Sequence, residues 1–228
     1  MDERFSRTCR ILGEEKIERL KNTSVIVFGI GGVGGAAVEG LVRGGIGHIA
    51  LVDKDVVDIT NINRQLIATD ETVGMKKTDV AEKRALSINP EIKVEKYDLF
   101  YLPENADSID LTKYDFIVDA IDNVTAKLEL ITRADKLGVP IISSMGTGNK
   151  LHPELFEIAD INKTSVCPLA RVMRRELRNR GVKKLAVVYS KEEPIKTDSS
   201  VPGSISFTPA VAGYLASSFV INKIIEQE

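Results

Sequence analysis

The chain has no tryptophan, two histidines and two cysteines, and each shortage removes a class of protein. Cys9 and Cys167 stand far apart in sequence, so they supply neither a disulfide framework nor the paired CxxC of a structural zinc site. His48 and His152 lack a partner His or Cys at metal-ligand spacing and are expected to be structural. Charge of one sign is also missing: 31 lysines and arginines against 33 aspartates and glutamates leave a net charge of −2. That balance excludes a uniformly basic coat for nucleic acid and leaves room only for a local basic patch. Long apolar runs are absent too. The best candidate, 207–225, is interrupted by Pro209, Ser217, Ser218, Asn222 and Lys223. It falls short of the roughly 20 mostly apolar residues of a spanning helix, so a buried C-terminal helix is expected and stable membrane insertion is not. The opening MDERFSRTCR is charged where an export signal would be apolar, and a cytoplasmic location is the expectation. No internal repeat or low-complexity tract is present.

What the chain does have is enough apolar residue, 43% of 228, to bury one good core, so a single domain over 1–228 is expected. Apolar runs at 24–28, 48–52, 93–98, 116–118 and 140–144 read as strands. Helical patterns at 36–42, 77–88 and 125–137 alternate with them, stopped by Gly44-Gly45, Asn89-Pro90 and Gly138. A further helix ends near residue 20. This alternation predicts an α/β, Rossmann-like, doubly wound, mostly parallel sheet with helices on both faces. After residue 144 the rhythm changes: a strand at 155–161, a helix at 168–180 opened by Pro168, a strand at 185–189, a polar loop at 190–204 that reads as a lid, and the C-terminal helix. The expected division is a nucleotide-binding core over 1–144 and a substrate-side extension over 145–228.

The strongest local signal is Val25-Ile26-Val27-Phe28-Gly29-Ile30-Gly31-Gly32-Val33-Gly34-Gly35. A strand running into Gly29, Gly31, Gly32 and Gly34 lets the backbone approach a phosphate, and a helix starting near Gly34 directs its N–H groups at the anion. Asp53 closes the second apolar run roughly 20 residues on, where a carboxylate accepts hydrogen bonds from ribose hydroxyls. An adenine nucleotide is therefore expected, and the glycine turn alone suits a nicotinamide dinucleotide as well as it suits ATP. Arg64 and Lys77 favour ATP, because a diphosphate is largely satisfied by the turn and helix terminus whereas β and γ phosphates need further cations. Asn61, Asn63 and Gln65 flank Arg64 in TNINRQ, and their amides can fix that loop or bond phosphate oxygens. In Asp119-Ala-Ile-Asp122-Asn123, Asp119 reads as structural. Asp122 reads as a ligand for Mg²⁺, which takes hard oxygen donors and few protein carboxylates, or else Asp122 or Asn123 caps the next helix.

The glycine run, DKDVVDITNINRQ, GMKK and DAIDN together resemble the ThiF/MoeB/ubiquitin-activating-type adenylyltransferases over 4–144. Members of that family use ATP and magnesium to adenylate a carboxylate. The resemblance implies ATP contacts at Gly31, Gly32, Asp53, Asn61, Arg64, Lys77 and Asp122. It also implies a homodimer in which Arg7, or its neighbour Arg4, reaches the partner's triphosphate. Beyond residue 144, CPLARVMRRELRNRGV and PGSISFTPAVAGYLASSFVINKI resemble the branch that acts on threonylcarbamoyladenosine in tRNA. There the carboxylate is adenylated and the neighbouring carbamoyl group closes a ring on it with AMP leaving. A sulfur-transfer protein is a further partner that the family resemblance allows.

Two segments carry weaker signals. Cys167 precedes Pro168 at a helix start, where a thiolate could be stabilised for transthiolation; a small cap residue is the favoured reading, since ring closure needs no thioester. Arg171, Arg174, Arg175 and Arg178 share helical spacing, with Arg180, Lys183 and Lys184 nearby, and can either line up against tRNA phosphates or form a solvated face paired with Glu176. Ala210, Ala212, Gly213 and Ala216 in the last helix offer a small-residue seam for dimerisation. The rival functions are activation of a sulfur-carrier protein's C-terminal carboxylate, a nicotinamide-dependent dehydrogenase, which leaves Arg64, Lys77 and Asp122 unexplained, and a non-catalytic nucleotide sensor.

Overall fold

The computed structural model describes residues 3–226 apart from Ser200; that residue of the expected 190–204 loop lies outside them. Seven strands form one sheet in the order β3-β2-β1-β4-β5-β7-β6. They are β1 Ser24–Phe28, β2 His48–Val52, β3 Lys93–Tyr97, β4 Phe116–Asp119, β5 Ile141–Ser144, β6 Phe156–Asp160 and β7 Ala186–Ser190. All neighbours are parallel except β6 against β7. The helices are α1 Ser6–Leu12, α2 Glu14–Lys21, α3 Gly32–Gly44, α4 Lys77–Ile88, α5 Val124–Leu137, α6 Pro168–Asn179 and α7 Phe207–Ile225. The doubly wound α/β class expected from the alternation is the fold observed, and β6 and β7 from beyond residue 144 extend the same sheet.

Strand order runs outward from β1 through β2 to β3 and from β4 to β5 on the other side. The reversal between β1 and β4 opens a crevice at their carboxyl ends, which is where open α/β sheets bind ligands. β1, β2 and β4 are buried along nearly all their length because helices cover both faces: β1 sends Val25 and Val27 to one cluster with α3 and α7, and Ile26 and Phe28 to the other. A third cluster forms under α6 around Met173, Leu177 and Tyr189.

Boundaries shift where side chains intervene. The third strand stops at Tyr97 rather than at 98, because Asp98 turns out to accept hydrogen bonds from Lys76 Nζ at 2.7 Å and Thr78 Oγ1 at 2.5 Å. The helix expected from about Gly34 begins at Gly32, and Gly45 ends it with φ +102° in the left-handed region.

α7 lies along α3 at backbone distance. A Cβ on Gly213 would stand 2.2 Å from Val33 O, and one on Gly40 would stand 2.2 Å from Ser217 Oγ. Ala212, Gly213 and Ala216 are therefore buried against α3 of the same chain, which corrects the reading of them as a dimer seam. Among the described residues, no helix is long and apolar enough to cross a membrane.

α3 is also tied to α4 by charge. Glu39, 6% exposed, takes Arg84 Nε at 3.0 Å, Arg84 Nη2 at 2.8 Å and Arg43 Nε at 2.7 Å. Burial pushes its carboxyl up, but the hydrogen bonds and charges of Arg84 and Arg43 outweigh that and hold it below its ordinary value. A depressed carboxylate stabilises the fold fully above its unfolded pKa and loses that contribution as pH falls through the folded one. Unfolding followed against pH should show stability falling below the ordinary Glu value near 4.5. Glu39→Gln should flatten that acid limb while lowering stability at neutral pH.

Candidate active site

The crevice is built from the glycine turn upward. Gly29 leaves β1 with φ +83°, donates its N–H to Val52 O at 2.8 Å, and lies so near β4 that a Cβ would stand 2.7 Å from Ala120 O. Only glycine meets both demands. Gly31 is the N-cap of α3, whose first-turn N–H groups have no partner within the helix and face the crevice. Gly32 touches Pro209 at the start of α7, with 2.9 Å from its Cβ position to Pro209 Cβ. Gly34 lies outside the crevice wall: a Cβ there would stand 1.7 Å from Gly29 O, so this glycine lets the helix sit against its own turn.

The cavity measures about 540 Å³, within the range of small-molecule sites. Gly29, Gly31, Gly32, Asp53, Asn61, Arg64, Lys77 and Asp122 all line it. Asp53 ends β2 and is tightly held, accepting Ile30 N–H at 2.6 Å and Asp55 N–H at 2.8 Å. It thus fixes the backbone between Gly29 and Gly31. Lys77, 6% exposed, donates to Asp55 Oδ2 at 3.0 Å and stands 4.0 Å from Asp53 Oδ2. Its ammonium is positioned at the crevice wall by two carboxylates. Arg64 is aimed by Thr60 O and Asn63 Oδ1, each 2.9 Å from Nη1, and among the described residues its remaining donors have no hydrogen-bond partner. Asp122 sits exposed on the loop after β4, and among the described residues nothing makes a hydrogen bond or ion pair to its carboxylate. Among the described residues no cluster of three or more His, Cys, Asp or Glu could hold a metal unaided. A lone free carboxylate fits Mg²⁺ that takes its other ligands from phosphate and water.

Several expected site residues have other work. Asn123 Oδ1 accepts Ala126 N–H at 3.0 Å as the N-cap of α5, and Asn123 does not line the cavity. Asn63 also lies off the wall; its amide donates to Ser204 O at 3.0 Å and ties the 190–204 loop to the crevice. Asn61 Oδ1 accepts Asp58 N–H at 3.1 Å, closing a capping box. Arg7 is exposed on α1 and away from this chain's cavity. Cys167 is 3% exposed at the start of α6, packed in the cluster with Met145 and Met173. On α6 itself, Arg174 turns inward to Thr164 O at 2.8 Å and Thr164 Oγ1 at 2.7 Å. The exposed basic row is Arg171, Arg175 and Arg178, with Arg175 also paired to Glu176.

On the opposite wall, Val201 to Ser204 belong to the loop expected as a lid, whereas Ser144 to Gly148, Leu169 and Pro209 were missed by sequence reasoning. Asn149, at φ +56°, donates N–H to Gly203 O at 2.8 Å and accepts Gly203 N–H at 2.6 Å, which folds the loop over the cavity. The signal available for it was Gly146-Thr147-Gly148 after β5, a second glycine turn at the carboxyl edge. A larger groove of about 690 Å³ lies at the amino ends of the strands, lined by Glu14, Glu18, Lys21, Glu91 and Lys93 among others. Glu14 and Glu15 open α2 there and, with Glu18 and Glu91, make the lining mainly acidic, unsuited to a phosphate, so the chemistry belongs to the smaller crevice.

Under the crevice floor, Asp119 and Lys127 are both fully buried, 2.9 Å apart, and Ser143 Oγ donates to Asp119 at 2.6 Å. Asp119 also accepts Ile121 N–H at 3.1 Å, which sets the loop that carries Asp122. The structural reading of Asp119 matches this placement.

A glycine turn at the switch point, a carboxylate ending β2 and two cations at the helix start define an ATP-binding α/β enzyme of the adenylate-forming kind. The ThiF family model matches residues 5–228, and the chain belongs to the ThiF family. It is 41% identical over 240 residues to the tRNA threonylcarbamoyladenosine dehydratase of Bacillus subtilis, covering 97% of this chain and 94% of that protein. Crystal structures of the E. coli tRNA N6-threonylcarbamoyladenosine dehydratase TcdA superpose with TM-scores of 0.92 for its AMP complex and 0.91 for its ATP complex. The identities are 34% and 33%, and each comparison covers 98% of this chain and 94% of the other. A sulfur carrier protein adenylyltransferase of Thermus thermophilus is 40% identical over 131 residues, 58% of this chain and 48% of that protein.

Breaking a buried ion pair strands the remaining charge and costs about 3–5 kcal/mol. Lys127→Met should lower the unfolding free energy by that order in equilibrium denaturation, with Lys127→Arg recovering part of it. A loss no larger than that of an exposed lysine would show that the pair does not hold the floor.

Proposed function

We propose that this protein is an ATP-dependent tRNA threonylcarbamoyladenosine dehydratase. The observation that carries the reading is one crevice in which the α3 N–H groups, Lys77 and Arg64 converge, with Asp122 across the mouth. That is more positive charge than a dinucleotide needs and what a triphosphate losing pyrophosphate requires. The whole-length likeness to dehydratases supports the substrate.

In this reading a carboxylate oxygen of the threonylcarbamoyl group attacks the α-phosphorus of ATP and pyrophosphate leaves. The neighbouring carbamoyl group then bonds to the activated acyl carbon, a proton is lost and AMP departs. The nucleoside is one water lighter. Arg64 and Lys77 neutralise the departing pyrophosphate, the α3 N–H groups hold the phosphoryl being attacked, and Asp53 orients the ribose. Asp122 would hold Mg²⁺, which supplies further charge neutralisation on the phosphate oxygens.

We also propose a cytoplasmic homodimer. Val56, Ile59, Ile62, Leu66, Val73 and Met75 are exposed within one stretch around Arg64, an apolar surface that a second copy would cover. Exposed Arg7 on α1 would then serve the partner's triphosphate. Arg171, Arg175 and Arg178 form the row offered to tRNA phosphates. Activation of a sulfur-carrier protein is the weaker reading, because the CxxC pairs of zinc-bearing activators are missing and the likeness to the Thermus thermophilus protein covers 58% of this chain.

Nucleosides from threonylcarbamoyladenosine-containing tRNA, incubated with the protein, ATP and Mg²⁺, should lose one water by mass spectrometry, dependent on ATP. An unchanged nucleoside alongside steady ATP turnover would redirect the search to a carrier-protein carboxylate. Arg64→Ala and Asp122→Ala should each cut AMP formation by about 10²-fold or more while the circular dichroism spectrum stays unchanged. Parent-level turnover in Asp122→Ala would remove Asp122 from the mechanism.

A further inference from the structure

Among the described residues, two that are not glycine hold φ in the left-handed region, Asn149 at +56° and Val166 at +61°. Side chains rarely adopt that conformation, asparagine more readily than most because its short amide bonds locally. Val166 sits in the tight turn ahead of α6 where Cys167 donates its N–H to Ser165 O. Asn149 is different in kind. It does not line the crevice, yet three of its polar atoms are spent on the chain that runs from β7 to the crevice wall.

Its N–H donates to Gly203 O at 2.8 Å, its Oδ1 accepts Gly203 N–H at 2.6 Å, and its carbonyl accepts Ile195 N–H at 2.8 Å. Both hydrogen-bonding groups of Gly203 are thus met by one residue. The base of this clasp is stiff: Lys150, next in the chain and buried, donates to Glu192 O at 2.6 Å, and the Glu192 carboxylate accepts Leu151 N–H and His152 N–H, each at 2.9 Å. Gly148 leaves no room for a side chain, since a Cβ there would stand 2.9 Å from Pro202 Cβ and 3.2 Å from Gly203 O. Gly146 to Gly148 and Val201 to Ser204 therefore form one continuous wall, joined through Asn149. No side chain in those two stretches is charged. The cations that a triphosphate needs, Arg64 and Lys77, stand with the glycine turn, and the uncharged wall is left to the second substrate.

We propose that Asn149 is a positioning residue for the carboxylate-bearing substrate: by fixing Gly203 it sets the wall that holds that substrate against the nucleotide and keeps water out. This rests on the proposed adenylation of a carboxylate. A wall loosened at Gly203 weakens the hold on that substrate and admits water, while ATP keeps its own contacts across the crevice.

The test compares parent, Asn149→Gly and Asn149→Asp. Glycine keeps the left-handed backbone and both main-chain hydrogen bonds and removes only Oδ1, whereas aspartate keeps an acceptor oxygen in its place. Three quantities are read: ATP affinity by calorimetry, KM and kcat for threonylcarbamoyladenosine-containing tRNA, and AMP released without tRNA, when water attacks the α-phosphorus and pyrophosphate leaves. Asn149→Gly is expected to bind ATP as the parent does, to raise KM for the tRNA about fivefold, the worth of one neutral hydrogen bond, and to release AMP without tRNA faster by a similar factor. Asn149→Asp is expected to stay close to the parent in all three. A parent-like KM in the glycine variant, an equal loss of ATP affinity, or an aspartate variant no better than the glycine one would overturn the proposal. If the parent leaves the tRNA nucleoside unchanged, the dehydratase reading falls and AMP release without tRNA decides on Asn149. Faster release in the glycine variant that aspartate restores supports the clasp, and equal release in all three sinks it.

Discussion

The crevice depends on the contact between Gly29 and Ala120. There the turn leaving β1 meets the loop leaving β4 with no space for a side chain, and both halves of the site are referred to that point. From Gly29 the chain passes Ile30, pinned by Asp53, and enters α3 with its N–H groups facing the cavity. From Ala120 it passes Ile121, pinned by Asp119, and presents Asp122. Two carboxylates of opposite character do the pinning: Asp53 at the wall, within reach of ligand, and Asp119 sealed under the floor with Lys127. A change in the distance between the two turns would move the phosphate cradle against Asp122, so the floor pair sets the spacing of groups it never touches.

Much of the fold was legible because its signals are local. A parallel sheet covered on both faces writes its strands as unbroken apolar runs, and 24–28, 48–52 and the helix at 77–88 were readable to the residue. Errors arose where a distant side chain decides the outcome. The strand expected at 155–161 is shorter, Phe156–Asp160, since Leu155 ends a 3-10 turn and Asp160 caps the next one through Asn162 N–H. The last helix was seen, but its small residues were assigned to a dimer because their neighbour, α3, lies some 180 residues earlier, and periodicity carries no partner's name.

The site was legible in its glycines, acids and cations and illegible in its amides. Asn61, Asn63 and Gln65 are chemically alike and adjacent, so sequence could only group them. The fold gives one to a turn, one to a loop 141 residues away and leaves one unpaired. The α6 arginines divide in the same way. Arg174 is claimed by Thr164, and the outward row that remains is narrower than helical spacing alone suggests.

Pro209, at the start of α7, presses on Gly32, and Val201 to Ser204 close the wall opposite the glycine turn. The two parts of the phosphate cradle therefore stand almost at opposite ends of the polypeptide. During synthesis, a nascent chain that has folded its first five strands still has an open crevice, its glycine turn uncovered and α3 lacking the helix it packs against. The last wall residue, Pro209, reaches the glycine turn only once the start of α7 has been made. A chain truncated before α7 would hold most of the binding residues and lack Pro209 against Gly32 and the helix that α3 packs on.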